Sequence, residues 1–225
     1  MDPRFAVQTC EALLADWQSS ADGGALSQDE DLRVQAIASV GRRQQFLAGR
    51  WLAKTMLCEA LGGAPTDWRI TADALTKPQV LDHPVHISIA HSGGFVACAM
   101  AAVAVGIDVE RVNDRRSVAD MAQWVCSNAE QLALRALPPD AALHAFHCMW
   151  TRKEARLKQL GLPFGIAELR AIQVVSSDSA RATVGTWCCA PQGVVLSLAA
   201  QGLPHLHVRW PAHWRVDPAQ WHGYL

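Results

Sequence analysis

The 225-residue sequence predicts an α+β fold built from two similar halves packed together, residues 1–112 and 113–225. Three observations predict it. A helical stretch followed by short apolar strands occurs twice. A Ser-x-x-Glu capping box opens a helical stretch in each half, at Ser27–Glu30 and again at Ser127–Glu130. Several features also recur at an offset of 99 residues: Trp51 with Trp150, Lys54 with Lys153, Leu61-Gly62 with Leu160-Gly161, and Phe95–Ala102 with Val194–Gln201.

Residues 1–25 carry no clear pattern. From Ser27 the apolar positions Leu32, Ile37, Val40, Phe46, Leu47, Trp51, Leu52, Met56, Leu57 and Leu61 follow near-helical spacing, with a break near Gly41, and Gly62-Gly63 ends the run. A strand is expected at Trp68–Thr71, then a turn with Lys77-Pro78, then strands at Val85–Ala90, Phe95–Ala102 and Val105–Val109. Val118–Val125 reads as an apolar loop. The second half opens a helix at Ser127, and Asp140 is expected to cap a longer one that closes at Gly161. Strands are expected at Ala171–Ser176, Ala182–Cys189, Val194–Ala200 and Leu206–Trp210.

Bulk properties narrow the function classes. Half of the residues are hydrophobic, which supports a sizeable core, and the formal net charge of −1 offers no global basic field for nucleic acid. No apolar run reaches the roughly 18 residues of a membrane span. The start, Met1-Asp2-Pro3-Arg4, lacks the regions of a secretory signal, so a cytoplasmic protein is expected. Seven cysteines, odd in number and without a CxxC pair, read as buried thiols in a reducing compartment. Nine tryptophans stand against one tyrosine, an unusual ratio.

Three motifs carry chemistry. In Gly106-Ile107-Asp108-Val109-Glu110-Arg111 the two acids lie two apart on an expected strand, so both point to one face and the apolar pair to the other. Adjacent carboxylates repel unless a cation sits between them, and oxygen ligands suit Mg²⁺ or Mn²⁺. An exposed edge strand with solvated acids, paired to Arg111, accounts for the hexapeptide equally well. In Trp150-Thr151-Arg152-Lys153-Glu154-Ala155-Arg156-Leu157-Lys158, Glu154 and Lys158 share a helical face. An ordinary surface ion pair explains that spacing; beside Asp108 and Glu110 it also reads as a metal site bound to a phosphate. In Ser88-Ile89-Ala90-His91-Ser92-Gly93-Gly94 a histidine precedes a glycine pair that would let backbone approach a ligand, though a satisfied turn histidine fits too.

Taken together, GIDVE and WTRKEARLK about forty residues on resemble the signature of the 4′-phosphopantetheinyl transferase superfamily, (I/V)G(I/V)D…(F/W)xxKExxxK. The likeness is to its larger, monomeric, surfactin-synthetase-activating branch, and it covers roughly residues 27–201. Arg42-Arg43…Phe46 to Lys54 is similar to the family's basic helix, Thr76-Lys77-Pro78 to its GKP element, Ser88–Ser92 to its S(I/L)SHS element, and Cys126–Glu130 to its FSxxE helix start. Departures occur at Ala90, where serine is usual, at Thr76, where glycine is, and at Thr151, where serine or cysteine is.

The resemblance implies a pseudo-dimer of α+β halves related by a pseudo-two-fold, with the active site at their interface. It implies transfer of the 4′-phosphopantetheine group of coenzyme A to a serine of an apo acyl or peptidyl carrier protein, of fatty-acid, polyketide or nonribosomal-peptide synthesis, with release of 3′,5′-ADP. Mg²⁺ would be held by Asp108, Glu110 and Glu154; Glu154, directly or through a water it positions, would take the serine proton; and Lys158 and His91 would stabilise phosphate oxygens. Coenzyme A would further engage Arg43, Arg50, Lys77 and Ser92. The offset carries Asp108 onto His207 and Glu110 onto Arg209, which implies one metal site per chain. Competing readings are a metal-dependent phosphohydrolase of coenzyme A or nucleotides, and a non-catalytic carrier-binding module. His144, His147 and Cys148 cluster on an expected helix, as do His83, His86 and His91 around a strand, but neither set has the paired spacing of a zinc site. Cys188-Cys189 reads as a strand pair, and Arg115-Arg116 as solvated loop charge. Walker A, G-x-G-x-x-G and G-x-S-x-G motifs do not occur.

Overall fold

The computed structural model describes residues 1–20, 26–71, 73, 76–113 and 117–224, so Arg115-Arg116 lies outside the described residues. Its elements run β1 (Arg4–Thr9), α1 (Cys10–Ser19), α2 (Gln28–Ala36), α3 (Val40–Leu61), β2 (His86–Ser92), β3 (Phe95–Ala101), β4 (Gly106–Arg111), α4 (Val118–Val125), α5 (Asn128–Arg135), α6 (Pro139–Leu160), α7 (Ile166–Ala171), β5 (Val174–Ser176), β6 (Val184–Cys189), β7 (Val194–Ala199), β8 (His207–Arg209) and β9 (Gln220–Tyr224). The class is α+β. One sheet has the order β2-β3-β1-β8 and the other β4-β7-β6-β9-β5. Each half of the chain lends a strand to the other's sheet: β4 pairs antiparallel with β7, and β8 pairs parallel with β1.

The recurrence in the sequence has a physical basis. Helices α3 and α6 are both 22 residues long and begin 99 positions apart. Ahead of each stands a shorter helix with a complete capping box, Ser27 with Glu30 and Ser127 with Glu130. In each box the glutamate also receives a lysine from the long helix. Lys54 Nζ donates to Glu30 Oε2 at 2.8 Å, and Lys153 Nζ to Glu130 Oε2 at 2.7 Å. The paired lysines are therefore latches that fix the short helix against the long one.

Several boundaries differ from expectation. The break between α2 and α3 falls at Ile37–Ser39, because Ser39 caps α3, and Gly41 sits inside its first turn. Among the described residues, Trp68–Thr71 makes an isolated bridge, Ile70 with Val80, in place of a strand. Val118–Val125 is a helix, not a loop, since Ser117 accepts from the Asp120 amide as its cap. Asp140 is not the cap of α6: Pro138 holds that position and Pro139 starts the helix, its fixed φ suited to the first turn. The segment from Ala171 begins as the end of α7 and becomes a strand only at Val174. Gly93 and Gly94 form the hairpin turn between β2 and β3, with φ of 54° and 88° that side chains disfavour.

The core has layers. Between the sheets lie Phe5, Val7, Ala97, Ala99, Ile107, Val109, Trp187, Leu196 and Leu198. The outer face of the first sheet packs Val96, Cys98 and Met100 on Trp51, Leu52, Met56 and Leu57 of α3. Helix α6 covers the second sheet, where Thr151 Oγ1 meets Ser197 Oγ at 2.8 Å and Ser197 meets Thr186 at 2.9 Å. Four of the nine tryptophans gather at one edge of the core: Trp187, Trp210, Trp214 and Trp221 pack ring against ring, with Phe5 and Phe95 completing the set.

Gly106 sets how closely α6 can approach β4. A Cβ at this position would overlap the Ala155 carbonyl and the Gln159 amide, both backbone. We therefore expect Gly106→Ala to destabilise the fold by about 2–3 kcal/mol in denaturant unfolding, and to weaken the Asp108–Lys158 contact that depends on this approach. Unchanged stability in that variant would contradict the close packing.

Candidate active site

Strand β4 alternates as the sequence implies. Ile107 and Val109 are buried between the sheets, while Asp108 and Glu110 point at α6. Glu154 and Lys158, one turn apart on α6, face them. Lys158 Nζ lies 2.6 Å from Asp108 Oδ1 and 3.6 Å from Glu154 Oε2. One carboxylate oxygen from each of Asp108, Glu110 and Glu154 falls within 4.8 Å of the others. The structure thus brings all four residues together from two separate elements.

The neighbours of β4 hold it in place. Ser88 Oγ accepts from the Ile107 amide at 3.1 Å, and Ser92 Oγ donates to Glu110 Oε2 at 2.7 Å while accepting from the Arg111 amide at 3.2 Å. Lys77 Nζ donates to the Val105 carbonyl at 2.6 Å, and burial lowers its pKa to about 8. Ser92 therefore orients a carboxylate, and Lys77 anchors the entry to the strand. At Ala90 the side chain is buried, so the missing hydroxyl leaves no polar group there.

The electrostatics are those of a crowded acidic site. Burial and then the Asp108 charge raise Glu110 to about 7 and Glu154 to about 8. Burial also raises Asp108, with Lys158 pulling the other way. Desolvation lowers Lys158, but Asp108 and Glu154 overcome it and keep its pKa above the ordinary lysine value. Three carboxylates against one ammonium leave a formal charge of −2, which one divalent cation matches. Asp108 Oδ2 is buried without a hydrogen-bond partner, an acceptor that a cation would satisfy. The donor set is oxygen only, which fits a hard ion such as Mg²⁺ and not a thiophilic one.

Two clefts meet at the His91–Ser92 step. One, of about 750 Å³, is lined by Arg42, Phe46, Arg50, Pro78, Ile89 and His91 among others. Arg50 stacks over the Phe46 ring at 4.8 Å, donates from Nη2 to the Thr71 carbonyl at 2.8 Å, and leaves Nη1 buried without a partner. Desolvation and then Lys158 hold His91 below its ordinary pKa, so it is neutral near pH 7. The other cleft, of about 600 Å³, is bounded by Ser92, Glu110, Arg111, Met121, Phe146 and Trp150. A third hollow, of about 410 Å³ and mainly apolar, lies among α4, α5 and α6, and none of the site residues lines it.

Arg43 lines neither of the clefts at the His91–Ser92 step, whereas its neighbour Arg42 lines the first. The signal was available in the sequence: Arg42, Phe46 and Arg50 are spaced by four and share one helical face. His207 and Arg209, at the positions repeating Asp108 and Glu110, lie on exposed β8, and Arg209 pairs with Glu59. His83 packs on Trp68 and not on His86 or His91 in a ligand set.

Comparison with known proteins shows what the sequence is similar to. The sequence profile described as the 4′-phosphopantetheinyl transferase superfamily matches residues 104–205, which include β4 and α6. A 4′-phosphopantetheinyl transferase of Bacillus subtilis is 29% identical over 149 residues, covering 60% of this chain and 66% of the relative. The 4′-phosphopantetheinyl transferase HetI of Nostoc sp. is 29% identical over 178 residues, 77% of this chain and 73% of the relative. The 4′-phosphopantetheinyl transferase AcpT of Escherichia coli is 33% identical over 140 residues, 61% of this chain and 65% of the relative. Over the stretch that holds β4 and α6, the chain is similar to the 4′-phosphopantetheinyl transferase superfamily. It spans just under two thirds of the length of the Bacillus and Escherichia relatives and somewhat more of the Nostoc one.

Proposed function

We propose that the protein is a Mg²⁺-dependent 4′-phosphopantetheinyl transferase, moving the phosphopantetheine arm of coenzyme A to a serine of an apo carrier protein. The observation that carries this reading is the convergence of Asp108, Glu110 and Glu154 within 4.8 Å, with Lys158 beside them, inside a chain similar to this superfamily. Asp108, Glu110 and Glu154 would hold the metal. When bound, Mg²⁺ supplies charge neutralisation at the pyrophosphate and aligns the β-phosphorus.

The chain's own residues do the rest. Lys158 stands where it can balance an oxygen of the transferred phosphate. Glu154, beside Lys158 at 3.6 Å, would receive the proton of the attacking serine, directly or through a water it positions. The serine oxygen bonds to phosphorus as the bond to the 3′,5′-ADP leaving group breaks. The basic cleft supplies Arg42, the unpartnered Nη1 of Arg50 and neutral His91, which suits the adenine nucleotide end and its 3′-phosphate. The cleft past Ser92 suits the pantetheine arm and the incoming serine. Exposed Trp124 on α4 and Leu132 on α5 offer apolar contacts for the carrier.

We further read the chain as a monomer of two related halves, residues 1–112 and 113–225, about a pseudo-two-fold, supported by the matched latches and the constant offset. The seven free thiols are consistent with a cytoplasmic location. Among the described residues, no helix is long and apolar enough to cross a membrane.

Chromatography of coenzyme A incubated with the protein and Mg²⁺ tests the reading. 3′,5′-ADP formed only when an apo carrier is present supports transfer. Phosphate or nucleotide products without carrier point to a phosphohydrolase, and an unconsumed substrate with bound carrier points to a binding module.

The raised acids also give a pH signature. Folded-state values of about 7 and about 8 for Glu110 and Glu154, against the ordinary 4.5, mean that the folded protein favours their protonated forms. Their contribution to stability is fully present below about pH 4.5 and is lost as pH rises through about 8. We expect Mg²⁺ to raise the melting temperature more at pH about 8.5 than at about 6, where protons compete for the same oxygens. An equal Mg²⁺ effect at both pH values would contradict the assignment.

A further inference from the structure

The two ends of α6 carry different chemistry. Glu154 and Lys158 lie toward its C-terminus. Toward its N-terminus, His144 and Cys148 are four residues apart and share a face. That face lies on β6, and there Cys188 meets them. Cys148 Sγ is 3.7 Å from His144 Nδ1 and 3.9 Å from Cys188 Sγ, and one donor atom from each residue lies within 4.8 Å of the other two.

These separations match a tetrahedral metal. With Zn–S near 2.3 Å and Zn–N near 2.0–2.1 Å, tetrahedral geometry separates neighbouring ligand atoms by about 3.6–3.8 Å. Two thiols and an imidazole are soft and borderline donors, unlike the oxygen set at Asp108, and they select Zn²⁺ over Mg²⁺. Cys148 and Cys188 are buried while His144 is exposed, so an ion could enter from the His144 side. The two sulfurs lie 3.9 Å apart, close enough to share one ion.

We propose that His144, Cys148 and Cys188 form a second metal site, specific for a thiophilic divalent ion such as Zn²⁺, with a fourth position open to solvent. Such an ion would staple α6 to the second sheet at the end opposite the carboxylates. Its role is to hold in register the helix that presents Glu154 and Lys158. It is independent of the oxygen site and does not rest on the transferase reading.

Cobalt titration of the reduced, metal-free protein tests this. One equivalent of Co²⁺ should bind with thiolate-to-cobalt charge-transfer absorption, and Zn²⁺ should displace it. His144→Ala alters only an exposed side chain and should weaken binding by more than the roughly 10–100-fold typical of an outer partner. A Cys148→Ser, Cys188→Ser double variant should lose the absorption, whereas Asp108→Ala should keep it. The site is refuted if the reduced protein shows no such band with excess Co²⁺. It is equally refuted if His144→Ala binds unchanged, or if the thiols simply close to a disulfide in air while refusing metal when reduced.

Discussion

Asp108→Ala should lower phosphopantetheinyl transfer by about 10²–10³-fold or more, with the fold intact. Asp108 is 3% exposed and contributes both the closest contact to Lys158 and a buried oxygen with no partner. Removing it takes away a proposed metal ligand and the anchor of the lysine together. Stability should not fall in parallel. Among three crowded carboxylates, deleting one relieves repulsion on Glu110 and Glu154, and Lys158 keeps Glu154 at 3.6 Å. Metal-free Asp108→Ala protein should therefore melt at or above the wild-type temperature while losing the Mg²⁺-induced rise. A structural acid would behave in the opposite way: its loss would unfold the protein and leave no separate effect on metal. An Asp108→Ala protein that transfers at the wild-type rate would remove Asp108 from the site.

Lys153→Ala is expected to be the largest single loss of stability, on the order of 3–5 kcal/mol. Lys153 is fully buried within α6, and its ammonium donates to the Glu130 carboxylate, to the Val125 carbonyl at 3.2 Å and to the Leu169 carbonyl at 2.9 Å. It thereby ties the ends of α4 and α7 and the start of α5 to one point. Alanine takes a donor from two backbone carbonyls and leaves the partly buried Glu130 carboxylate with only the Ser127 amide, besides opening a cavity. Lys153→Met, which keeps the stem, separates the two causes: the polar account predicts that methionine recovers little. Urea unfolding within about 1 kcal/mol of wild type for Lys153→Ala would be too small for a broken buried pair and would contradict the latch.

The latch also shows why the repeat was readable in the sequence. Capping boxes and helix-terminating glycines are local, so they announce themselves within a few residues. The Asp108–Glu110 alternation is equally local, because a two-residue period fixes which face each side chain takes. What the sequence could not place were meetings between distant elements. Strand β1 finds partners only in β3 and β8, more than eighty residues away, and its own six residues carry little pattern. Cys188 joins His144 and Cys148 across forty residues and a change of element, which no spacing rule foretells. Arg42 shares the cleft face with Phe46 and Arg50, whereas the basic run alone does not fix that register. Val118–Val125 reads as an apolar loop in the sequence, and its helix is set by a single cap, Ser117 accepting from the Asp120 amide.

The intact mass of an apo carrier protein, after incubation with this protein, Mg²⁺ and coenzyme A, tests the central claim most directly. The account predicts a gain of one phosphopantetheinyl group, located on a serine, and no gain when Mg²⁺ is chelated or when Asp108→Ala replaces the wild type. A carrier mass left unchanged across fatty-acid, polyketide and peptide-synthetase carriers would contradict it.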